Sequence, residues 1–333
     1  MSFENIIREI KKKEVKPIYF LSGEEAYYID YISDFIEENL LTEEEKAFDQ
    51  IVFYGKDVPD LNILISYAKE YPKIASRQLL IVKEAQDIKN FEPLELYLKN
   101  PLLSTVLVFC YKGKSLDKRK ALPKTIDKMG VLFESKKLYD NQLPDWIVKY
   151  VEGKSFKISP KASVLLSEFL GNELSKITNE VDKLCILLPP GSTISPEVIE
   201  KNVGISKDYN IFELNNALGS KDFEKVMRII HYFAANPKSN PMVVVLSTLH
   251  GYFLKVMTYH FSPDKNPDTL ATTMKVSKFF IKDYQLAAKN YPPKKISQIF
   301  ELLNEYDLKS KGVNNPSTSE GELLKELVYK MMR

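Results

Sequence analysis

The chain has 333 residues, 44% of them hydrophobic and 28% charged, and its 47 Lys and Arg nearly cancel its 45 Asp and Glu to a net charge of +2. That balance excludes bulk disorder, and near-neutrality excludes a global field drawing the protein onto nucleic acid or an anionic membrane, so any such contact has to be local. The length exceeds what one hydrophobic core supports, so two or three domains are expected.

Residues 1–13 are charged throughout, without an apolar h-region or a small-residue cleavage site, so no signal peptide is expected. No apolar run approaches the roughly 18 residues of a membrane span. A cytoplasmic protein without membrane contact is therefore expected.

Residues 17–21 form a short apolar run closed by Ser22-Gly23, which reads as strand and turn. Residues 24–41 then carry apolar or aromatic side chains at 27, 28, 31, 32, 35 and 36, near the helical period. Acids sit in the first turn, where the helix dipole favours them. Further strands are predicted at 47–54, 78–83, 105–111 and 131–134, alternating with helical segments at 58–70, 92–99 and 117–129. Such alternation predicts a mostly parallel, doubly wound sheet. Two of its strands, around Leu79 to Val82 and Val106 to Phe109, are apolar on both faces, as strands covered by helices should be.

From residue 142 onward the pattern reads as helices broken by Pro, Gly and Ser, so the fold class is α/β plus all-α. A polar break over 204–209 divides the helical part. Cys110 and Cys185 both lie in apolar stretches and read as buried free thiols, in core strand and core helix, which suits a reducing compartment.

Nucleotide hydrolysis of the P-loop kind needs Gly-x-x-x-x-Gly-Lys-Ser/Thr after the first strand, where backbone amides cradle phosphates and Lys neutralises them. The junction here reads Leu21-Ser22-Gly23-Glu24-Glu25-Ala26, with no Lys, no second Gly and two carboxylates where phosphate would sit. The strand that should end in magnesium-holding acids ends instead Ile81-Val82-Lys83-Glu84-Ala85, a cation where a cation ligand is required. Gly23, Glu24, Glu25, Lys83 and Glu84 thus mark a degenerate site not expected to bind nucleotide. The triplets Gly113-Lys114-Ser115 and Gly153-Lys154-Ser155 lack the upstream glycine, since 108 and 148 are Val. His231, His250 and His260 show neither i, i+4 spacing nor acidic neighbours. No metal, cofactor or catalytic residue is expected.

Two segments point to binding. Between a predicted helix end and a core strand lies Tyr71-Pro72-Lys73-Ile74-Ala75-Ser76-Arg77, where Pro stops the helix and stiffens the connection. By residue type alone, Tyr71 and Ile74 read either as anchors tucked under the strand or as exposed apolar contacts. The second segment runs from Lys112 to Lys128, with six lysines and one arginine against Asp117 and Asp127, a net charge of +5. It reads as a solvated helix face or as a phosphate contact.

Six segments, in order along nearly the whole chain, carry a family resemblance. The first three are Pro17-Ile18-Tyr19-Phe20-Leu21-Ser22-Gly23-Glu24-Glu25, Ala75-Ser76-Arg77-Gln78-Leu79-Leu80-Ile81-Val82-Lys83-Glu84-Ala85 and Lys114-Ser115-Leu116-Asp117-Lys118-Arg119-Lys120. The helical half adds Asn179-Glu180-Val181-Asp182-Lys183-Leu184, Ile211-Phe212-Glu213-Leu214-Asn215-Asn216-Ala217-Leu218 and Leu308-Lys309-Ser310-Lys311-Gly312. In these the chain resembles the delta-subunit family of bacterial DNA polymerase III clamp loaders.

The resemblance implies an ATP-inactive AAA+-like parallel-sheet domain over 1–140, a small helical lid domain over 141–207 and a C-terminal helical collar domain over 208–333. It implies a non-catalytic subunit of a DNA-directed DNA polymerase holoenzyme that binds and opens the beta sliding clamp for loading on primed DNA. The apolar wedge that does so falls on Tyr71, Pro72 and Ile74; Lys73 departs from the family, where many relatives carry another apolar residue. The implied partners are the clamp, the gamma/tau and delta-prime subunits through the collar, and primer-template DNA through Lys112, Lys114, Lys118, Arg119 and Lys120. Two other readings are an active AAA+ clamp-loader ATPase, against which the missing Lys argues, and a non-catalytic helical adaptor.

Overall fold

The computed structural model of the chain describes residues 1–333 other than Ile205, Lys207 and Pro316. It divides into two compact units, Met1–Leu138 and Tyr139–Arg333. The division lies beside the boundary expected at 140, whereas the boundary expected after 207 falls on a residue outside the described ones, inside the second unit.

The first unit runs α1 (Phe3–Lys11), β1 (Ile18–Gly23), α2 (Ala26–Leu40), α3 (Glu43–Asp49), β2 (Gln50–Tyr54), α4 (Leu61–Ala68), β3 (Gln78–Lys83), α5 (Glu92–Tyr97), β4 (Thr105–Lys112), α6 (Ala121–Met129) and β5 (Val131–Ser135). Its five strands pair in parallel in the order β2-β3-β4-β1-β5, an AAA+-like sheet. The two apolar runs singled out in β3 and β4 are wholly buried, because helices cover both faces. On one face α4, α5 and α6 pack over Phe20, Leu80, Val82, Leu107 and Phe109; on the other, α1 and α2 pack over Tyr19, Leu21, Leu79, Ile81 and Val108.

Two local expectations change. Residues 47–49 belong to a helix rather than to the predicted strand, because Thr42 and Glu45 form a reciprocal capping box that nucleates α3. The charged N-terminus folds as α1, whose Ile6 and Ile10 are buried.

The second unit continues α7 (Leu143–Gly153), β6 (Lys157–Ile158), α8 (Pro160–Leu170), α9 (Leu174–Leu187), β7 (Thr193–Ile194), α10 (Pro196–Val203), α11 (Ile211–Ser220), α12 (Phe223–Ala235), α13 (Met242–Phe261), α14 (Pro267–Met274), α15 (Ile281–Asn290), α16 (Pro293–Ser310) and α17 (Glu320–Met332). It is helical as expected, apart from one two-residue parallel pair, β6 with β7, too short to show in the sequence pattern. A core of Leu214, Ile229, Phe233, Leu249, Phe253, Tyr291, Leu303 and Leu327 holds α11 to α13 against α15 to α17. Buried Glu213 ties α8 to this bundle: its carboxylate receives Lys161 at 2.7 Å and also pairs with Lys225. Burial raises the Glu213 pKa, but the two lysines outweigh it and leave it below the usual range.

α13 corrects one sequence reading, since its 20 residues are long and apolar enough to cross a membrane. Ser247, Thr248, His250, Gly251 and Lys255 interrupt the run, which hid it from a search for continuous apolar sequence. In the fold Val245, Leu246, Leu249, Phe253 and Val256 enter the bundle core while Val243, Val244, Leu254 and Phe261 stay exposed, so one face of the helix is core.

The thiols also differ from expectation. Cys110 is buried in β4, but Cys185 is only half-buried, and the neighbouring Ile186 and Leu187 at the end of α9 are exposed. Burial pushes the Cys110 thiol up to about 11, which removes its thiolate at neutral pH. At pH 8 a small alkylating reagent should therefore modify Cys185 in the native chain and reach Cys110 only after denaturation. Peptide mass spectrometry checks this, and equal native labelling of both thiols would contradict the β4 placement. Substituting Glu213 by Gln should lower the unfolding free energy by about 1 to 2 kcal/mol, because the carboxylate loses two charged partners while the lysines, partly exposed, regain water. An unchanged urea midpoint would show that the pair contributes nothing.

Candidate functional site

The segment between α4 and β3 is held from both sides. Orphan carbonyls at the C-terminus of α4 would normally face water. Here buried side chains take them: Thr105 Oγ1 and Tyr97 Oη donate to the carbonyl of Ala68 at 2.9 and 3.1 Å. Gln78 Nε2 lies 3.1 Å from the carbonyl of Tyr67, and also bonds the carbonyl of Glu70 and the Thr105 hydroxyl. From the other side, the buried carboxylate of Asp49 accepts three successive backbone N–H groups: Lys73 on Oδ1 at 2.5 Å, and Ile74 and Ala75 on Oδ2 at 2.8 and 2.7 Å. Burial alone would raise the Asp49 pKa, but the three amides outweigh it and hold the carboxyl below its usual value. Arg77 adds a bond from Nη1 to the carbonyl of Val15 at 3.0 Å.

With its backbone tied down, the segment leaves Tyr71 76% and Ile74 57% exposed, with Pro72 half-buried between α4 and the loop. Tyr71 and Ile74 are thus not anchors tucked under the strand. Ile63 and Tyr67 of α4 and Phe48 of α3 are further exposed apolar side chains of this unit. Lys73 points its backbone inward and is itself exposed.

At the end of β1 the amides that could cradle a phosphate are already committed. Gly23 donates to the carbonyl of Lys114 at 2.9 Å, Glu24 to the carbonyl of Ser135 at 3.2 Å, and Glu25 to Ser135 Oγ at 3.2 Å. The α-carbon of Gly23, at φ +122°, lies so close to β5 that an added Cβ would sit 2.1 Å from the carbonyl oxygen of Ser135. Glu25 is buried and caps α2, its Oε1 accepting the N–H of Tyr27 at 3.2 Å, while Glu24 is exposed. An internal carboxylate therefore occupies the helix terminus that would attract an anion.

Lys83 and Glu84 are absorbed in a charge network. Lys83 reaches Asp34 at 2.8 Å and Glu37 at 3.9 Å, and Lys112 joins Asp30 at 2.8 Å to Glu84 at 3.3 Å. Burial works against both ammonium groups, but the carboxylates more than compensate and raise their pKa values, so both stay charged. Glu84 adopts a left-handed backbone at φ 53° and accepts a bond from Gln86.

The basic segment is partly neutralised as well. Lys118 pairs with Glu134 at 2.5 Å, and Arg119 forms a two-bond fork with Asp117 at 2.9 Å for each bond. Lys114 and Lys120 are exposed and make no ion pair among the described residues. Lys83 and Lys112 are thus each held by two carboxylates at the strand ends, whereas Lys114 and Lys120 have no such partner among the described residues. Asp49 escaped the sequence reading, although an Asp at the start of a predicted strand, where that residue is depleted, was a visible signal.

The family described as DNA polymerase III, delta subunit, matches residues 19–136, and the family described as the C-terminal domain of that delta subunit matches residues 208–325. The DNA polymerase III subunit delta of Bacillus subtilis (strain 168) is 26% identical over 318 residues, spanning 92% of this chain and 91% of the relative. The solved structure of the Bacillus subtilis DNA clamp loader delta protein superposes with a TM-score of 0.56 at 23% identity, covering 99% of each chain, which speaks for the fold. Two matched domains of the same subunit, in order along the chain, place this chain in the DNA polymerase III delta subunit family.

Proposed function

We propose that this chain, a delta subunit of DNA polymerase III, works in the cytoplasm as the non-catalytic clamp-loader subunit that binds and opens the beta sliding clamp. The observation that carries the reading is the pair of exposed apolar side chains, Tyr71 and Ile74, on a backbone that is hydrogen-bonded on both flanks. Exposed large apolar groups are unfavourably hydrated in the free chain, and an apolar pocket in a partner relieves that cost. Full burial of one such side chain contributes roughly 1.5 to 3 kcal/mol. Two anchors therefore contribute roughly 3 to 6 kcal/mol, a large share of a contact whose remaining surface also has to offset the cost of association.

Opening a closed ring requires tighter binding to the open form than to the closed one, since affinity without difference shifts nothing. The free energy comes from the wedge contact and not from this chain's own nucleotide chemistry, because the amides of Gly23, Glu24 and Glu25 are spent on Lys114 and Ser135. In this proposal the helical part from 141 to 207 is a lid, and the part from 208 to 333 is the collar that meets gamma/tau and delta-prime. Of the five cations proposed to meet primer-template DNA, Lys114 and Lys120 make no ion pair among the described residues and carry the contact, whereas Lys112, Lys118 and Arg119 first have to leave their carboxylates.

Three measurements test the reading. Replacing Tyr71 and Ile74 together by Ala should weaken binding to the purified clamp by about a hundredfold or more, at roughly 1.4 kcal/mol per tenfold, with the urea midpoint unchanged. Retained affinity would sink the wedge. Reversing Lys114 and Lys120 to Glu should flatten the salt dependence of DNA binding by the reconstituted loader by about one unit of log-log slope per lost phosphate contact. An identical slope would remove these residues from the interface. Titration of the isolated chain with magnesium-ATP should give no saturable heat, and a stoichiometric isotherm would overturn the closed-site reading.

A further inference from the structure

Asp49 stands where elementary electrostatics disfavours it. It is the last residue of α3, and a helix C-terminus repels negative charge. It is also 4% exposed, and an ionised carboxylate leaves water only when hydrogen bonds replace the lost hydration. What offsets both penalties is the run of N–H groups from Lys73, Ile74 and Ala75, three successive donors converging on two oxygens. Successive amides of this kind form an anion-binding concavity, and here the anion is part of the protein, reached across 24 to 26 residues of sequence.

We propose that Asp49 is the positioning residue of the wedge: its carboxylate fixes the backbone at 73–75 so that Tyr71 and Ile74 project in their binding geometry before any partner arrives. The inference rests on the clamp-binding reading above and adds a residue that would touch no partner. A loop ordered in advance loses less conformational freedom on association, so removing its anchor weakens binding without deleting any contact surface. The chemistry also sets a graded expectation. An Asn at 49 keeps one carbonyl oxygen, able to serve Ile74 and Ala75, and loses the acceptor for Lys73; an Ala keeps none.

The experiment compares the full-length chain with its Asp49→Asn and Asp49→Ala variants, using clamp affinity and amide hydrogen exchange at residues 73–75 as paired readouts. Exchange should accelerate at these amides in the order wild type, Asn, Ala. Clamp affinity should fall in the same order, by roughly tenfold or more for Ala given the ordering cost of two side chains and their loop. Exchange in the sheet strands should be unchanged, which separates loss of positioning from loss of the fold; if the Ala variant does not fold, the Asn variant carries both readouts. Unaltered exchange at Ile74 and Ala75, or unaltered affinity despite faster exchange, overturns the proposal. If instead the Tyr71 and Ile74 double variant binds the clamp like wild type, the clamp-binding reading fails, and the exchange data still decide whether Asp49 holds the loop.

Discussion

A backbone N–H without an acceptor is costly wherever water is excluded, and the two sites of interest in the first unit are two answers to that constraint. At the end of β1 the chain turns into α2 and offers several free donors, the arrangement that elsewhere binds phosphate. Here Ser135, Lys114 and the cap Glu25 take those donors, so the site is closed by the protein's own oxygens. After α4 a second run of donors at 73–75 is taken by Asp49, but there the satisfied backbone turns its side chains outward. One chemistry thus shuts a pocket and presents a surface.

Charge follows the same division. Lys83 and Lys112 sit near the strand ends where a nucleotide enzyme would place metal and phosphate, and four carboxylates, Asp30, Asp34, Glu37 and Glu84, neutralise them. These partly buried pairs keep charged groups satisfied at the strand ends and contribute modestly to stability, as exposed and half-exposed ion pairs do. Further along, Lys118 and Arg119 turn to Glu134 and Asp117 while staying exposed, so the basic charge left unpaired is smaller than the count of lysines and arginines suggests. A run of like charge is therefore a poor measure of an interface until its internal partners are subtracted.

Strands buried on both faces were legible because their signal is local: Leu79 to Val82 and Val106 to Phe109 have no polar alternation to confuse the reading. The departure from the phosphate-binding pattern was legible for a similar reason, since it rests on residue identities at one junction. What escaped depends on partners distant in sequence. Asp49 looked like part of a strand, because its role is defined by amides more than twenty residues away. Cys185 sat in an apolar run that turned out to end in exposed Ile186 and Leu187, which only the packing of α9 decides. α13 was broken up by Lys255 and His250 and became recognisable only as a helix with many of its apolar residues in a core.

Rigidity and exposure usually oppose each other, since apolar side chains that are held still are normally held by burial. The α4–β3 connection separates the two by anchoring backbone rather than side chain: Gln78, Thr105 and Tyr97 hold one flank, and Asp49 holds the other. None of these anchors needs Tyr71 or Ile74 to face inward. A surface built this way can be changed residue by residue without disturbing the sheet beneath it, so the side chain at 73 can be a lysine here while the backbone beneath it keeps its bond to Asp49. Partner preference in such a loop is set by which side chains a fixed backbone displays, and the fold supplies only the frame.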